Sequence, residues 1–301
     1  MDVQRTPSAV WVRAPAKLNL FLEVLGKRTD GFHELETLMT PVSLYDLLWF
    51  GPTSTEDIEL TCERFPSAEQ SGEEASRLPE GSDNLVVRAV RLLADRSGIR
   101  AGARMKLWKR IPVAAGLAGG SSDAAAALAA ANVGWRLDWP RERLLPLAAE
   151  LGSDVPFFLG RGPAVCRGRG ERIERTDGLG VLHFVVVTPP VGLSTAAVFR
   201  NFRPAVRPQP LAPLLEALRA GDAQAVGDRL FNRLQPAATE LTPWIERLNR
   251  EFAAGEFVGH QMSGSGSSYF GLCRNLAHAL RAASRLRGRG VGQVYALRTA
   301  C

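Results

Sequence analysis

Two stretches near the start of the chain have the hydrophobic pattern of β-strands. Apolar and polar residues nearly alternate over residues 10–24, and apolar, strand-like sequence returns over residues 35–50. A period of two predicts strands whose side chains point alternately to opposite faces of a sheet. The Ala-Pro pair at residues 14–15 interrupts the first stretch, so we predict two short strands around it. The Asp-Gly pair at residues 30–31 is typical of a turn and separates the two stretches.

Helical patterns occupy much of the remaining sequence. Apolar residues recur on one face over residues 84–96, and seven of the eight residues at 124–131 are alanine, the strongest helix former. Further helices are predicted over residues 140–151, 211–254 and 275–285, and further strands over residues 58–62, 103–109, 181–187 and 269–273. Because helices and strands are mixed without strict alternation, the sequence predicts an α+β fold. The remainder of residues 51–82 is polar and predicts a mobile surface insertion.

A glycine-rich loop at residues 112–122 leads directly into the alanine-rich helix. Glycine lets backbone approach a ligand closely, and a helix start presents unpaired N–H groups at the positive end of its dipole. Together these features favour a cradle for phosphate groups. The alternative is a tight loop that merely packs against a neighbouring element. Ser121, Ser122 and Asp123 stand where N-cap and first-turn residues belong, which favours the phosphate interpretation.

Several familiar nucleotide and hydrolase motifs are absent from the sequence. No Gly-Lys-Ser/Thr follows the glycines, as a Walker A loop requires, and no complete G-x-G-x-x-G, H-R-D or D-F-G signature occurs. His33 and Glu34 begin like a zinc-protease helix, but Thr37 stands where the second histidine is needed. No G-x-S-x-G elbow is present. A phosphate site on this loop therefore belongs to another class.

Composition and net charge indicate which kinds of molecule the protein is expected to bind. The chain has 301 residues, of which 46% are hydrophobic and 23% charged, the balance of a globular protein of about two domains. Its net charge of +6 suits an anionic small substrate or nucleic acid. The basic residues are scattered and form no stripe with aromatic residues, so nucleic acid is the less favoured partner.

The N-terminal sequence and the cysteines bear on the compartment. The first residues lack the hydrophobic region of a secretory signal, and the apolar stretch at residues 111–135 is interrupted by Asp123. The four cysteines lie far apart without a C-x-x-C pair, which argues against a zinc knuckle or a disulfide framework. We therefore expect a cytoplasmic protein that does not span a membrane.

Three motifs, in order along the chain, resemble the signature motifs of the GHMP small-molecule kinases, such as galactokinase, homoserine kinase and mevalonate kinase. They are Ala-Pro-Ala-Lys-Leu-Asn-Leu at residues 14–20, the loop at residues 112–123, and Met-Ser-Gly-Ser-Gly-Ser-Ser at residues 262–268. The resemblance implies a two-domain α+β GHMP kinase fold with the active site in the interdomain cleft. It places an N-terminal nucleotide-binding domain over residues 1–163 and a C-terminal domain that completes the substrate site over residues 164–301.

Two further segments resemble one branch of this family, namely Arg-Thr-Asp-Gly-Phe-His at residues 28–33 and Leu-Gly-Ser-Asp-Val-Pro-Phe-Phe at residues 151–158. That branch uses ATP to phosphorylate the 2-hydroxyl of a cytidine diphosphate-linked methylerythritol in non-mevalonate isoprenoid synthesis. The resemblance implies this activity, with ATP and Mg²⁺ as cofactors, a small-molecule substrate, and neither nucleic acid nor a membrane as partner. The alternatives are another GHMP kinase, of the homoserine or phosphomevalonate type, and an inactive or nucleic-acid-binding relative.

Asp154 matches the catalytic aspartate of the family, and Lys17 matches its lysine. The resemblance implies that Asp154 accepts the proton of the substrate hydroxyl, while Lys17 pairs with Asp154 and stabilises negative charge in the transition state. Taken singly, each residue has a plainer interpretation. Asp154 is a candidate N-cap of the segment beginning at Pro156, and Lys17 is a candidate exposed strand lysine. Their joint occurrence in family motifs favours the catalytic roles.

The resemblance also assigns residues to the nucleotide and to the substrate. Those near the nucleotide are Asn84, Lys109, Gly116, Leu117, Ala118, Gly119, Gly120, Ser121 and Ser122. Those near the substrate are Asn19, Phe32, His33, Phe199, Gly264, Ser265 and Gly266. Phe32 and Phe199 would stack on the two faces of the cytosine ring, and His33 would hydrogen bond to its edge. The plainer alternatives are a helix-start asparagine at 84, a solvated lysine at 109, a turn histidine at 33, and core packing for the two phenylalanines.

Two positions depart from the family pattern. Phe32 stands where members often have tyrosine, so stacking is retained but a hydroxyl contact is lost. Ala118 stands where glycine is common, and alanine tolerates positive φ poorly. The loop therefore has ordinary φ at Ala118, or this position is strained. The sequence assigns no ligand for the Mg²⁺ and leaves open whether the chain is a monomer or a homodimer.

Overall fold

The computed structural model describes residues 1–65, 81–176, 180–204 and 206–300. These residues form twelve strands and ten helices. The strands are β1 (Asp2–Arg5), β2 (Val10–Lys27), β3 (His33–Thr53), β4 (Ile58–Arg64), β5 (Gly102–Lys109), β6 (Ala164–Gly168), β7 (Arg172–Arg175), β8 (His183–Thr188), β9 (Phe231–Asn232), β10 (Gly259–Met262), β11 (Tyr269–Cys273) and β12 (Gln293–Arg298). The helices are α1 (Leu85–Ser97), α2 (Gly119–Gly134), α3 (Arg141–Leu151), α4 (Val155–Phe158), α5 (Thr195–Asn201), α6 (Ala212–Ala220), α7 (Ala223–Asp228), α8 (Gln235–Leu241), α9 (Pro243–Ala253) and α10 (Leu276–Arg287). Most of the predicted insertion, at residues 66–80, lies outside the described residues.

The α+β class predicted from the sequence is confirmed by this mixture of elements. Among the described helices, none is long and apolar enough to cross a membrane.

The chain divides into two compact units whose segments are interleaved. Unit 1 comprises Met1–Ala16, Leu44–Ile111 and Gly119–Arg161, and unit 2 comprises Lys17–Ser43, Pro112–Ala118 and Gly162–Cys301. The last change from unit 1 to unit 2 lies close to the domain boundary expected at residue 163. Because two earlier segments also belong to unit 2, strands β2 and β3 contribute residues to both units. The domain limits at residues 1–163 and 164–301 stay a prediction.

Unit 1 combines strands with helices α1 to α4. Strand β1 pairs antiparallel with the start of β2, the second half of β3 pairs antiparallel with β5, and β4 runs parallel to β5. Burial alternates along this part of β3, where Leu44, Asp46, Leu48 and Phe50 are buried and the residues between them are partly exposed. This alternation is expected for a strand with one face buried and the other partly exposed, because successive side chains point to opposite faces of the sheet. It also places the Asp46 carboxylate among apolar side chains.

Helices α1 and α2 of unit 1 follow from local sequence. The Asn84 side chain accepts a hydrogen bond from the Val86 N–H at 2.8 Å and caps α1, while Gly98 ends the helix in the left-handed conformation at φ +70°. Alanines make α2 thin enough to be buried on nearly every side. A Cβ at Gly134 would lie 2.5 Å from the Phe50 ring, so this helix end must carry glycine.

Unit 2 contains an antiparallel four-stranded sheet in the order β10-β11-β8-β12. Strand β6 pairs with the first half of β3 and with β7, and β9 runs parallel to a short part of β2. The core of the unit joins Val185 and Val187 of β8 with Phe252 of α9 and with Ala279 and Ala283 of α10. Burial of these apolar side chains is the main stabilising contribution to the unit.

The prediction of two short strands around residues 14–15 is wrong. Strand β2 runs without interruption from Val10 to Lys27. The fixed φ of proline fits extended backbone, and β1 pairs with β2 only as far as Arg13, so Pro15 lies beyond that ladder. The prediction that helices fill residues 211–254 is confirmed by four short helices, α6 to α9, with the two-residue strand β9 between α7 and α8.

Candidate active site

The glycine-rich loop of unit 2, residues 112–118, lies against the loop at residues 263–268. Gly116 has φ +74°, and a Cβ there would lie 2.2 Å from the Ser263 carbonyl oxygen, so only glycine fits. The Ser263 hydroxyl donates to the Gly116 carbonyl at 3.1 Å. Two loops assigned to separate family motifs are therefore in direct contact.

Ala118 adopts the strained alternative. Its φ is +55°, in the left-handed region that costs an alanine roughly 1–2 kcal/mol. The neighbouring Leu117 is buried, and its carbonyl accepts a hydrogen bond from the Lys17 N–H at 3.1 Å. Such strain persists where surrounding contacts determine the backbone, as they do in binding loops.

Helix α2 of unit 1 begins at Gly119, so Gly120, Ser121 and Ser122 form its first turn. The N–H groups of a first turn lack acceptors within the helix. The Ser122 hydroxyl is fully buried and has no hydrogen-bond partner within the described residues. Because an unpaired buried hydroxyl is costly, this oxygen suits a bound polar group such as a phosphate or its metal ion.

Lys17 stands at the centre of a cluster in unit 2. It is 4% exposed, so the interpretation as an exposed strand lysine is wrong. Its Nζ donates to Asn19 Oδ1 at 2.6 Å and to the Gly116 carbonyl at 2.8 Å. A Cβ at Gly264 would lie 2.9 Å from this Nζ, so only the bare glycine backbone packs against the ammonium. Four predicted site residues from three separate motifs thus meet at one place.

The substrate-side residue Asn19 is fixed on its other side as well. Its amide donates to the Thr37 hydroxyl at 2.8 Å, and that hydroxyl in turn donates to the Phe21 carbonyl. The Gln261 amide donates to the Asn19 carbonyl at 2.8 Å. These bonds orient Asn19 Oδ1 toward Lys17 rather than leaving it to rotate.

Asn232, which the sequence did not indicate, holds the last motif in place. Its amide donates to the Met262 carbonyl at 2.7 Å and to the Gly264 carbonyl at 2.8 Å. Its Oδ1 accepts from the Leu234 N–H at 2.9 Å, so every polar atom of this buried side chain is used. Asn232 therefore supports the loop that contacts Lys17.

The other two predicted residues of the last motif are also in defined surroundings. The Ser265 hydroxyl forms a hydrogen bond with the Thr195 hydroxyl at 2.8 Å. Gly266 has φ +86°, and a Cβ there would lie 2.7 Å from the Met262 sulfur. The loop is thus closely packed, and its conformation requires glycine at both Gly264 and Gly266.

Asp154 of unit 1 stands at the start of the short helix α4. It occupies the N-cap position, but its side chain makes no capping hydrogen bond. The next residues, Val155, Phe157 and Phe158, are buried and anchor the backbone. The capping interpretation therefore fails for the carboxylate, which is half-buried at a rigid position. The pairing of Asp154 with Lys17 stays a prediction.

Asn84 and Lys109, assigned to the nucleotide, differ in what their side chains do within unit 1. Asn84 acts as the helix cap described above, in agreement with the plainer alternative. Lys109 is 8% exposed, so it is not a solvated strand lysine. Its Nζ donates to the Asp123 carboxylate at 2.5 Å and to Asp46. Both nucleotide assignments stay predictions.

Lys109, Asp46 and Asp123 lie close enough for their charges to shift the pKa values of Lys109 and Asp123. Burial opposes the charged form of Lys109, but the carboxylates of Asp123 and Asp46 outweigh it and raise the pKa of this ammonium. Burial raises the pKa of Asp123, Lys109 opposes this, and Asp46 adds to it. The sequence signal for this cluster was present, because Asp46 and Lys109 both occupy buried positions of alternating strands.

Aromatic residues gather at the predicted cytidine site in unit 2. The His33 ring stacks on Phe199 at 4.8 Å between centroids, and Phe202 meets His33 edge-on at 5.9 Å. Phe32 is 49% exposed, and the planar guanidinium of Arg169 lies 4.6 Å from its ring centroid. Core packing is therefore wrong for Phe32, whose face already accepts a planar group.

Ion pairs hold the turn that carries Phe32 and His33. Arg28 bridges Asp30 at 3.0 Å and Glu34 at 2.7 Å, and Glu34 also pairs with Arg172 of β7. The hydrogen bond from Arg28 lowers the pKa of Glu34. Burial, followed by the charge of Lys27, lowers the pKa of His33, so its imidazole is neutral at pH 7.

Comparison with known proteins assigns the chain to a family. Sequence models of the GHMP kinases N-terminal domain and of the GHMP kinases C-terminal region match residues 84–162 and 214–292. The 4-diphosphocytidyl-2-C-methyl-D-erythritol kinase of Pelotomaculum thermopropionicum is 42% identical over 288 residues, which is 95% of this chain and 96% of that protein. The enzyme of the same name from Rhodococcus jostii is 41% identical over 95% of this chain and 90% of its own length.

A solved structure agrees with the sequence comparisons. The crystal structure of a 4-(cytidine 5'-diphospho)-2C-methyl-D-erythritol kinase matches with a TM-score of 0.79 and 37% identity, over 97% of this chain and all of that chain. The fold is that of a GHMP kinase, as the motifs predict. Within that group, the chain belongs to the 4-diphosphocytidyl-2-C-methyl-D-erythritol kinase family.

Proposed function

We propose that this chain is an ATP-dependent kinase that phosphorylates the 2-hydroxyl of 4-diphosphocytidyl-2-C-methyl-D-erythritol, a step of non-mevalonate isoprenoid precursor synthesis. Relatives that are 42% and 41% identical to this chain are named as kinases of this compound. The structural observation that carries the proposal is the 2.8 Å hydrogen bond from Lys17 Nζ to the Gly116 carbonyl. It fixes a buried ammonium on the glycine-rich loop, where phosphate charge needs a cation.

Asp154 and Lys17 carry the transfer step in this proposal. Asp154 accepts the hydroxyl proton as the hydroxyl oxygen forms a bond to the γ-phosphorus, and the bond from that phosphorus to the bridging oxygen breaks to release ADP. The Asp154 carboxylate makes no capping hydrogen bond, which supports its availability to a substrate hydroxyl. Lys17 stabilises charge on the transferred group, and its hydrogen bonds to Asn19 Oδ1 and to the Gly116 carbonyl orient the ammonium.

The first turn of α2 and the loop before it hold the triphosphate in this proposal. Unpaired N–H groups of the turn donate to phosphate oxygens. Mg²⁺ fits the orphaned Ser122 hydroxyl, because magnesium takes oxygen ligands and is usually bound by few protein groups together with phosphates. When bound, the ion neutralises phosphate charge. No group of three or more acidic, histidine or cysteine ligands occurs among the described residues.

The aromatic side chains of Phe32, His33 and Phe199 recognise the cytidine in this proposal. Phe32 and Phe199 offer aromatic faces for stacking on cytosine, a contact worth about 0.5–1.5 kcal/mol beyond the area buried. The neutral His33 ring, braced against Phe199, hydrogen bonds to the edge of the base. Asn19 and the loop of Gly264, Ser265 and Gly266 contact the erythritol side beside Lys17. This arrangement favours the cytidine conjugate over a small alcohol such as homoserine.

The substitution Asp154→Asn tests the catalytic role. Removing the base should lower kcat by about 10²- to 10⁴-fold, while binding of a non-hydrolysable ATP analogue stays near that of the wild type. The matched control is Asp222→Asn, because Asp222 also occupies an N-cap position but does cap its helix, accepting from the Ala225 N–H at 3.0 Å. Asparagine caps as well as aspartate, so this control should retain full turnover. Wild-type turnover in Asp154→Asn would contradict the role of Asp154.

A substrate panel tests the activity itself. ATP consumption should be fastest with 4-diphosphocytidyl-2-C-methyl-D-erythritol and negligible with homoserine or phosphomevalonate. Preference for one of those alcohols would establish another GHMP kinase instead. Salt-sensitive binding of RNA tighter than that of ATP, without turnover, would favour the nucleic-acid-binding alternative.

We also propose that the enzyme works in the cytoplasm, as a monomer or a homodimer, without a nucleic-acid or membrane partner. Both proposed substrates carry phosphate charges and do not cross membranes unaided, so the enzyme must share their compartment. Analytical ultracentrifugation distinguishes the two oligomeric states.

A further inference from the structure

Asp46 holds three consecutive residues of unit 1 at the point where the glycine-rich loop begins. This fully buried carboxylate of β3 accepts hydrogen bonds from the Arg110 N–H at 2.5 Å and from the Ile111 N–H at 2.8 Å. It also accepts from the Lys109 ammonium. A single side chain thus satisfies the backbone and the charge at the end of β5.

Lys109 extends this contact to the helix that follows the loop. Its ammonium lies 2.5 Å from Asp123 Oδ2, on the second turn of α2. A Cβ at Gly119 would lie 2.9 Å from Ile111 Cγ2 and 3.2 Å from Lys109 Nζ. The first residue of α2 therefore packs directly on the residues that precede the loop. The chain leaves unit 1 after Ile111 and re-enters it at Gly119. Because Gly119 packs against Ile111, the two ends of the loop lie next to each other.

A cluster of buried charges at this position calls for an explanation beyond stability. Burying three ionisable side chains carries a large desolvation cost, and apolar residues of similar volume often stabilise a fold as well or better. Charged groups form hydrogen bonds of defined direction, which apolar packing lacks. Here these bonds connect Asp46 of β3 to Lys109 at the end of β5 and Lys109 to Asp123 of α2. Lys109 precedes the loop and Asp123 follows it.

We propose that Asp46 is a positioning residue of the nucleotide site. Together with Lys109 and Asp123 it clamps both ends of the glycine-rich loop, so that the loop and the first turn of α2 hold their phosphate-binding arrangement before ATP arrives. Preorganisation of this kind raises affinity because less conformational entropy is lost on binding. Lys109 then acts through the loop rather than by touching the nucleotide. The inference rests on the proposed phosphate role of this loop.

The substitution Asp46→Asn tests the clamp. It keeps the side-chain shape but turns an NH₂ group or a neutral oxygen toward Lys109. We expect the Kd for a non-hydrolysable ATP analogue, measured by calorimetry, to rise by about 10- to 100-fold, since small misplacements of binding groups have effects of that size. KM for ATP should rise in parallel, while KM for the cytidine substrate stays unchanged. Hydrogen exchange should quicken at the amides of residues 116–122.

Glu23→Gln is the matched control. Glu23 is also a fully buried carboxylate that accepts from one cationic side chain, Arg233, and from two backbone N–H groups, those of Val24 and Gln209. It lies in unit 2, and none of its partners belongs to the glycine-rich loop. Glu23→Gln should lower the melting temperature as Asp46→Asn does, yet leave affinity for the ATP analogue unchanged. Equal losses of affinity in the two variants would show general destabilisation and overturn the proposal.

A second variant covers the case in which Asp46→Asn does not fold. Asp123→Asn leaves the contacts of Asp46 with the end of β5 intact and cuts the ionic link to α2. It should raise the Kd for the ATP analogue by a smaller factor than Asp46→Asn, and an unchanged Kd in a folded Asp123→Asn protein would overturn the clamp. Analogue binding requires no cytidine substrate. A wild-type protein that binds the analogue but does not phosphorylate the cytidine conjugate would contradict the proposed activity alone.

Discussion

The loop proposed for the phosphates and the turn proposed for the cytidine are both held by carboxylates, but in opposite surroundings. At the phosphate loop, the side chains of Asp46 and Asp123 are 0% and 4% exposed around Lys109. At the turn, Asp30 and Glu34 are 44% and 29% exposed around Arg28. Buried pairs leave an uncompensated charge when broken, whereas exposed pairs are screened by water and salt. The loop proposed for the phosphates is therefore fixed in place, whereas the turn proposed for the cytidine adjusts at little cost.

Lys109→Met should produce the largest effect on the buried side of this comparison. It leaves the carboxylates of Asp46 and Asp123 facing each other without a cation, which should lower the free energy of unfolding by about 3–5 kcal/mol. Urea denaturation measures the loss. Lys106→Met is the control, since Lys106 is exposed on the same strand and should have little effect. Similar stability of the two variants would show that the buried charges are not coupled.

Glu34→Gln should produce a smaller effect on the exposed side. The change weakens the contacts of Glu34 with Arg28 and Arg172, so the turn is less often in its binding conformation. We expect KM for the cytidine substrate to rise about two- to fivefold with little change in kcat or melting temperature. Moderate salt should reduce the difference between this variant and the wild type, because it weakens the same ion pairs in the latter. A large loss of thermal stability would place Glu34 with the buried group instead.

Acid should produce the smallest effect, confined to the turn. Burial and Lys27 lower the pKa of His33, so the folded protein binds this proton less readily than the unfolded chain. The contribution of neutral His33 is therefore complete above its ordinary value near 6.5 and declines as the pH falls below it. KM for the cytidine substrate should be constant from about pH 8 to 6.5 and rise in more acidic solution. His33→Asn should abolish that rise, and a rise centred above pH 7 would contradict a lowered pKa.

Sequence reasoning succeeded where structure depends on neighbours along the chain. The glycines before α2, the alanines within it and the Asn84 cap of α1 act over a few residues, and their patterns predicted loop and helices correctly. The break expected at residues 14–15 failed because tertiary context lets extended backbone include Pro15.

Asp46 shows what the sequence could not provide. Its place between Leu44 and Leu48 in an alternating strand signals a charge on a buried face, and such a charge needs a partner. The partner, Lys109, is 63 positions away, and the pairing of β3 with β5 decides that the two meet. Asn232 is a similar case, because its bonds to Met262 and Gly264 depend on the packing of unit 2.

The contacts of the Lys17 ammonium have a consequence for folding during synthesis on the ribosome. Its neighbours include Gly116, in the middle of the chain, and Gly264, which the ribosome adds 247 residues after Lys17. N-terminal segments begin to fold while synthesis continues at about 5–20 residues per second. Roughly ten seconds or more therefore pass between the synthesis of Lys17 and that of Gly264. A nascent chain stalled before that point carries Lys17 and the glycine-rich loop, yet it lacks the Gly264 loop that packs against them.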